Sequence, residues 1–142
     1  MRFKEWQGEK PTDSYGGKAF LDCDGVPVFA EIAVVNMLVK QGFDGAVWVD
    51  SYRRCFRKSM PPSKCEIPEP VRVVYDQIVA INGRPGGCWD VMAWNSKGVF
   101  FFECKRKGRD RMREKGVRWF ESAQRAGIPA DHFFVYEWEP EL

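Results

Sequence analysis

The pattern of apolar runs and chain breakers in this sequence predicts an α/β fold: a mixed central sheet flanked by helices, in the core order helix, strand, strand, strand, helix, strand. Three observations carry that reading. The unbroken run Val99-Phe100-Phe101-Phe102 fits a strand covered on both faces, because an exposed face would show polar alternation. A mostly apolar segment, Pro27 to Gln41, is long enough for a buried helix ahead of the first strand. An amphipathic stretch with a basic edge, about Arg111 to Ala126, then separates the third strand from the last. The 142 residues are expected to form one domain, its core at about 27–50 and 86–138, with an insertion at about 51–85 between the first two core strands.

In chain order, Met1 to Gly25 is rich in Gly, Asp and Lys and reads as irregular, with one short strand near Phe20. Pro27 suits a first helical position and Gly42 a helix stop, which bounds the first helix. Gly45 to Asp50 is β-rich and short. Ser51 to Pro70 mixes Arg53, Arg54, Arg57, Lys58 and Lys64 with four prolines and reads as a loop. Val71 to Ile81 is a second helix, followed by the long turn Asn82 to Gly87. Trp89 to Trp94 and Val99 to Cys104 then form a hairpin about Asn95-Ser96-Lys97-Gly98. In the helix from Arg111, residues Met112, Gly116, Trp119, Phe120, Ala123 and Gly127 should face the sheet, with Arg111, Lys115, Arg118 and Arg125 on another stripe. Gly127 and Pro129 end it, and His132 to Trp138 is the closing strand.

Composition narrows the function classes. Hydrophobic residues make up 44% and charged residues 30%, ordinary values for a globular chain. No apolar run approaches the roughly 20 residues of a membrane span, so no membrane partner is expected. The opening MRFKEWQGEK has no hydrophobic segment after its charges, so no secretory signal is expected. Five cysteines without a CxxC pair, beside a single histidine, favour reduced thiols in a cytoplasmic protein over a zinc knuckle. The charge is unevenly spread. Lys105 to Arg125 holds nine basic and three acidic residues, a net of +6, against −4 for the rest of the chain. Such a field beside carboxylates suits a polyanion better than a small acidic molecule, although a charge run by itself is more often a solvated helix face.

The chemistry concentrates in Gly86 to Lys105, GGCWDVMAWNSKGVFFFECK. Period two puts Glu103 and Lys105 on one face of the second arm and Cys104 on the other. Asp90 opens the first arm. Two carboxylates and an ammonium at the end of an apolar hairpin are costly to desolvate unless they meet each other, a metal or solvent. They are expected to converge at one end of the sheet. Asp90 and Glu103 together offer what magnesium prefers, one or two carboxylates with water and phosphate completing the shell. Lys105 is placed to orient an attacking water or balance transition-state charge.

Asp90 followed by Glu103-Cys104-Lys105, in this element order, resembles the PD-(D/E)XK nuclease superfamily. The stretch ECKRKGRDRMREKGVRWFESAQRAG is similar to its VRR-NUC branch, the virus-type replication-repair nucleases. There a Glu-x-Lys strand end runs into a basic loop, an Asp-Arg pair and a helix carrying Trp and later Ala-Gly. Here these are Glu103 and Lys105, Asp110-Arg111, Trp119 and Ala126-Gly127. The match covers about Gly86 to Tyr136. Two positions depart from it: Trp89 stands where the superfamily has proline, and Gly116 where the branch usually has glutamine.

The resemblance implies a metal-dependent deoxyribonuclease, an endonuclease or structure-directed nuclease of the replication-repair type. Its catalytic residues would be Asp90, Glu103 and Lys105, with Mg2+ or Mn2+ held by Asp90 and Glu103. Glu31 matches the acid many members carry in the first helix and would be a third metal ligand. An acid in a first helical turn also simply favours the helix dipole. Arg106, Lys107, Arg109, Arg111, Lys115 and Arg118 would bind DNA, duplex or branched, with a homodimer left open. Two other readings stay open: a nucleic-acid-binding module of this fold with weak or no cleavage, for which Gly116 is the warning, and a metal-dependent hydrolase of a small phosphorylated substrate.

Overall fold

A computed structural model of the chain describes residues 2–11, 18–108 and 111–141. Among the described residues the elements are β1 (Arg2–Phe3), β2 (Leu21–Cys23), β3 (Val26–Val28), α1 (Ala30–Lys40), β4 (Gly45–Asp50), β5 (Cys55–Arg57), β6 (Lys64–Cys65), α2 (Glu69–Asn82), β7 (Val91–Asn95), β8 (Gly98–Arg106), α3 (Glu114–Arg125) and β9 (Phe133–Pro140). Seven strands form one mixed sheet in the order β1-β9-β8-β7-β4-β5-β6, and β2 and β3 form a separate ribbon. The middle of the sheet is antiparallel, whereas β9 runs parallel to both β8 and β1. A parallel neighbour needs a crossover, and α3 with the 3-10 turn Ala130–His132 supplies it. Among the described residues no helix is long and apolar enough to cross a membrane.

The phenylalanine run explains the layering. Phe100, Phe102 and Cys104 join the cluster formed with α1 and the Phe20–Leu21 segment. Val99 and Phe101 point the other way, into the cluster formed with α2 and α3. The alternation expected of a doubly covered strand is therefore present, with apolar cover on each side. Helix α1 lies on one face of the sheet and α2 and α3 on the other. Both layers are held in place by the middle strands, and the polar end of β8 is held with them.

Several boundaries differ from the sequence reading, each for a local reason. The first helix begins at Ala30, not Pro27. Asp24 and Gly25, at φ 52° and 82°, form a tight turn that draws Val26–Val28 into pairing with β2, and Pro27 lies opposite Asp22 there. A strand of a two-stranded ribbon tolerates the N–H that proline lacks. The expected loop from Ser51 to Pro70 contains β5 and β6, because Arg57 and Phe56 pair with Trp48 and Val49 of β4. Helix α3 starts at Glu114, since Arg113 is extended (ψ 156°), so Arg111 and Met112 precede the helix. Helix α2 runs from Glu69 to Asn82, longer than the expected Val71 to Ile81. Gly127 is exposed, not sheet-facing, while Ser122 is buried instead.

Phe101 is fully buried, stacked 5.3 Å from Phe133 and edge-on to Trp119 at 6.0 Å. Phe101→Ala is expected to remove about 3–5 kcal/mol of stability, whereas Val135→Ala on the exposed edge of β9 should change it by less than about 0.5 kcal/mol. Urea unfolding of the two variants side by side measures both; equal losses would mean that the layers do not close on β8.

Candidate active site

The β7–β8 ladder runs from Asn95 opposite Gly98 to Val91 opposite Phe102. One further step sets Asp90 opposite Glu103, and directly opposed residues project from the same face. The side chains meet accordingly. The Asp90 N–H donates to Glu103 Oε1 at 3.2 Å, and the Cys104 N–H donates to Asp90 Oδ2 at 2.9 Å. The Asp90 carbonyl accepts from the Val49 N–H at 2.8 Å, which ties this point to β4. Two residues along β8, Lys105 places Nζ 3.7 Å from Glu103 Oε2. Asp90, Glu103 and Lys105 are thus brought together at one end of the sheet, while Cys104 packs on the α1 side.

Desolvation dominates the electrostatics. Burial, then the hydrogen bond to Glu103 and its charge, push the Asp90 carboxyl well above the usual carboxylate range, against a weaker pull from the Cys104 N–H and Lys18. Burial and the neighbouring carboxylate thus favour a protonated Asp90 or a cation beside it. Burial also raises the thiols of Cys88 and Cys104 well above their ordinary value, which keeps them protonated. All five cysteines are free.

A cleft of about 670 Å3 opens over the pair, and Glu31, Asp50 and Lys18 line it as well. Glu31, from the first turn of α1, is 6% exposed and accepts from Lys18 Nζ at 2.8 Å. Its carboxyl is raised by burial, against the pull of Lys18 and with a push from Asp90; burial lowers the Lys18 ammonium, but the charge and hydrogen bond of Glu31, with Asp90 and Cys104 behind them, together raise it. Both directions hold together because Glu31 loses nearly all its water while Lys18 keeps part of its own (side chains 8% and 37% exposed). Asp50 ends β4 and bonds Arg57 Nε at 3.0 Å, with both side chains 7% exposed. Lys18 carried no signal in the sequence, and Arg57 stood there only as one of the basic residues of the expected Ser51–Pro70 loop. Asp50 carried one faint signal, an acid closing an apolar strand at the same sheet end as Asp90.

Helix α3 closes the other side. Gly87, at φ 91°, approaches it so closely that a Cβ would meet the Lys115 carbonyl oxygen at 2.5 Å. The Trp89 indole N–H donates to the Gly116 carbonyl at 2.9 Å. These two contacts fix the α3 N-terminus beside Glu103, and a Cβ on Gly116 would lie 3.6 Å from Glu103 Oε2. The basic residues divide. Arg106 and Lys115 line the cleft, Arg106 lying 5.3 Å over the Trp138 ring. Lys107 is exposed and 3.9 Å from Glu139. Arg111 and Arg118 are exposed, the former ahead of α3 and the latter one turn inside it. Arg109, and Asp110 of the expected Asp-Arg pair, lie outside the described residues.

Among the described residues no three His, Cys, Asp or Glu side chains form a group that could hold a metal ion. Asp90 and Glu103 are a pair, and Glu31 and Asp50 are each engaged by a cation of their own. Two carboxylates without thiolate or imidazole form a hard oxygen donor set, which suits magnesium or manganese completed by water and phosphate. No protein-family model matches the chain, and neither does any curated protein or solved structure.

Because folding raises the Asp90 carboxyl above its ordinary 3.8, the folded state holds more protons than the unfolded one. Stability without metal is therefore fullest below that ordinary value and declines as pH rises toward the raised one, with Glu31 adding in the same direction. Asp90→Asn keeps an acceptor for the Cys104 N–H and removes the charge. It should raise stability at neutral pH by on the order of 1–4 kcal/mol and flatten the pH dependence. Urea unfolding in chelator from acid to neutral pH reads both, and an unchanged slope in the variant would contradict the pairing.

Proposed function

We propose that the protein is a magnesium- or manganese-dependent deoxyribonuclease, an endonuclease or structure-directed nuclease of the replication-repair type. One observation carries the reading: two acids, Asp90 and Glu103, stand side by side at the mouth of a cleft, the Asp90 N–H donating to Glu103 at 3.2 Å, with the Lys105 ammonium 3.7 Å from Glu103. The order α1, β4, β7, β8, α3, β9, with β5, β6 and α2 inserted, supports the finer fold reading of a PD-(D/E)XK core.

In this mechanism Asp90 and Glu103 would hold the ion, which when bound polarises a phosphate oxygen and acidifies a water. Asp90 is oriented for that role by the Cys104 N–H, and Glu103 by the Asp90 N–H. Lys105 faces the same opening, placed to orient the water and to offset charge gathering on the phosphate. Arg106, Arg113 and Lys115 line the cleft and can hold flanking phosphates. Arg118 on α3 and Arg111 ahead of it extend the positive surface. A second reading, a nucleic-acid-binding module with weak or no cleavage, is favoured by Gly116. A Cβ there would lie 3.6 Å from Glu103 Oε2 but 2.9 Å from Met112 Sδ, so the methionine sulfur stands where a glutamine stem would pass.

Incubation of linear, circular, single-stranded and branched DNA with magnesium, manganese or EDTA tests the reading. Cleavage is expected with metal alone, and Asp90→Ala or Glu103→Ala should abolish it while DNA affinity stays within about threefold, since removing an acid near phosphate relieves repulsion. Binding with metal but no cutting of any form would make the module reading the better one.

Affinity should also fall steeply with salt through counterion release. Charge reversal at Arg111, Lys115 and Arg118 should lower the slope of log affinity against log salt by about 3, for all sequences alike. Filter binding across a salt series measures this; affinity that ignores salt would reduce the basic residues to a solvated face.

A further inference from the structure

Four acids line the cleft, and they are not equivalent. Among the described residues, Glu31 is bound by Lys18 at 2.8 Å, Asp50 by Arg57 at 3.0 Å, Glu103 faces Lys105 at a looser 3.7 Å, and Asp90 has no cationic partner within salt-bridge distance. The first two distances are those of charge-assisted hydrogen bonds, and the third lies beyond hydrogen-bond reach. Glu31 and Asp50 are therefore satisfied acids, while Asp90 and Glu103 are the pair still short of positive charge.

From this we infer that Lys18 is a positioning residue that stands in for a second cation, so that the cleft takes a single divalent ion, on Asp90 and Glu103, with Glu31 outside its ligand shell. The inference rests on the metal-site reading above and goes beyond it in assigning stoichiometry and a role to Lys18. The ammonium is held from two sides, by the Glu31 carboxylate and by the Trp48 ring 5.6 Å away. The Glu31 side chain is only 8% exposed, so separating it from Lys18 would strand a buried charge. A divalent ion that recruited Glu31 would have to break that pair and also tolerate the displaced ammonium beside it. A lysine is a compact point charge and suits the place of a small cation. The absence of any three-acid grouping among the described residues agrees with this division.

Titration of the full chain with Mn2+ in the absence of DNA, reading free ion by electron paramagnetic resonance, tests it. Wild type should bind one ion per chain, and Asp90→Ala and Glu103→Ala should abolish that binding. Glu31→Gln, still an acceptor for Lys18, should leave stoichiometry unchanged and affinity within about threefold. Lys18→Met should expose Glu31 and either tighten binding by about tenfold or more or add a second ion. The double variant Lys18→Met/Glu31→Gln should return to wild-type binding. Thermal melts check that each variant folds; if Lys18→Met does not, Glu31→Gln decides alone. Tenfold or greater weakening by Glu31→Gln, or two ions on wild type, would overturn the role given to Lys18 while leaving the metal site standing. No Mn2+ binding by wild type would overturn the metal site and this inference together.

Discussion

The contact between Asp90 and Glu103 is the constraint on which the rest of the structure turns. Two carboxylates are brought side by side at the end of an apolar hairpin, where burial and the neighbouring Glu103 push the Asp90 carboxyl well above the usual range. Three backbone contacts enforce the arrangement: Asp90 N–H to Glu103, Cys104 N–H to Asp90, and Val49 N–H to the Asp90 carbonyl. None of these can relax without disturbing the ladder between β4, β7 and β8. The sheet therefore holds the acids in an arrangement they would avoid in a flexible loop.

The layers around the sheet serve that arrangement from both sides. Packing of α1 through Phe29, Ile32 and Leu38 brings Glu31 over the cleft. Packing of α3 through Trp119 and Ala123 brings Gly116 and Lys115 to the opposite wall. The inserted segment contributes as well, because Arg57 of β5 neutralises Asp50 at the end of β4. Positive side chains thus satisfy the outer acids and leave the central pair exposed to whatever enters. His132 takes no part: it stacks on Phe100 at 3.8 Å and meets the Val99 carbonyl near the hairpin turn, at the far end of β8.

Much of this was legible in the sequence because it depends on local periodicity. Alternation along a strand is enough to put Glu103 and Lys105 on one side of β8 and Cys104 on the other. The apolar run from Val99 to Phe102 announces a strand with cover on both faces, and the Asn95–Gly98 breaker announces its hairpin. Asp90 falls opposite Glu103 once that turn is placed. The Asp24-Gly25 turn was also available, since that dipeptide between apolar residues is a strong hairpin signal, but the proline after it suggested a helix start instead.

What the sequence by itself determined, then, was the α/β layering, the hairpin and the trio of Asp90, Glu103 and Lys105, all products of residue spacing within about 16 positions of one another. Tertiary structure alone decided which acids are satisfied and which are not. Lys18 and Glu31, Asp50 and Arg57, and Gly87 and the α3 backbone meet only because separate segments converge on one end of the sheet. Arg57 sits in a proline-rich stretch with no strand pattern, and becomes buried because β5 pairs with β4. Whether a charge is neutralised depends on distance in space, and spacing along the chain carries no record of that distance.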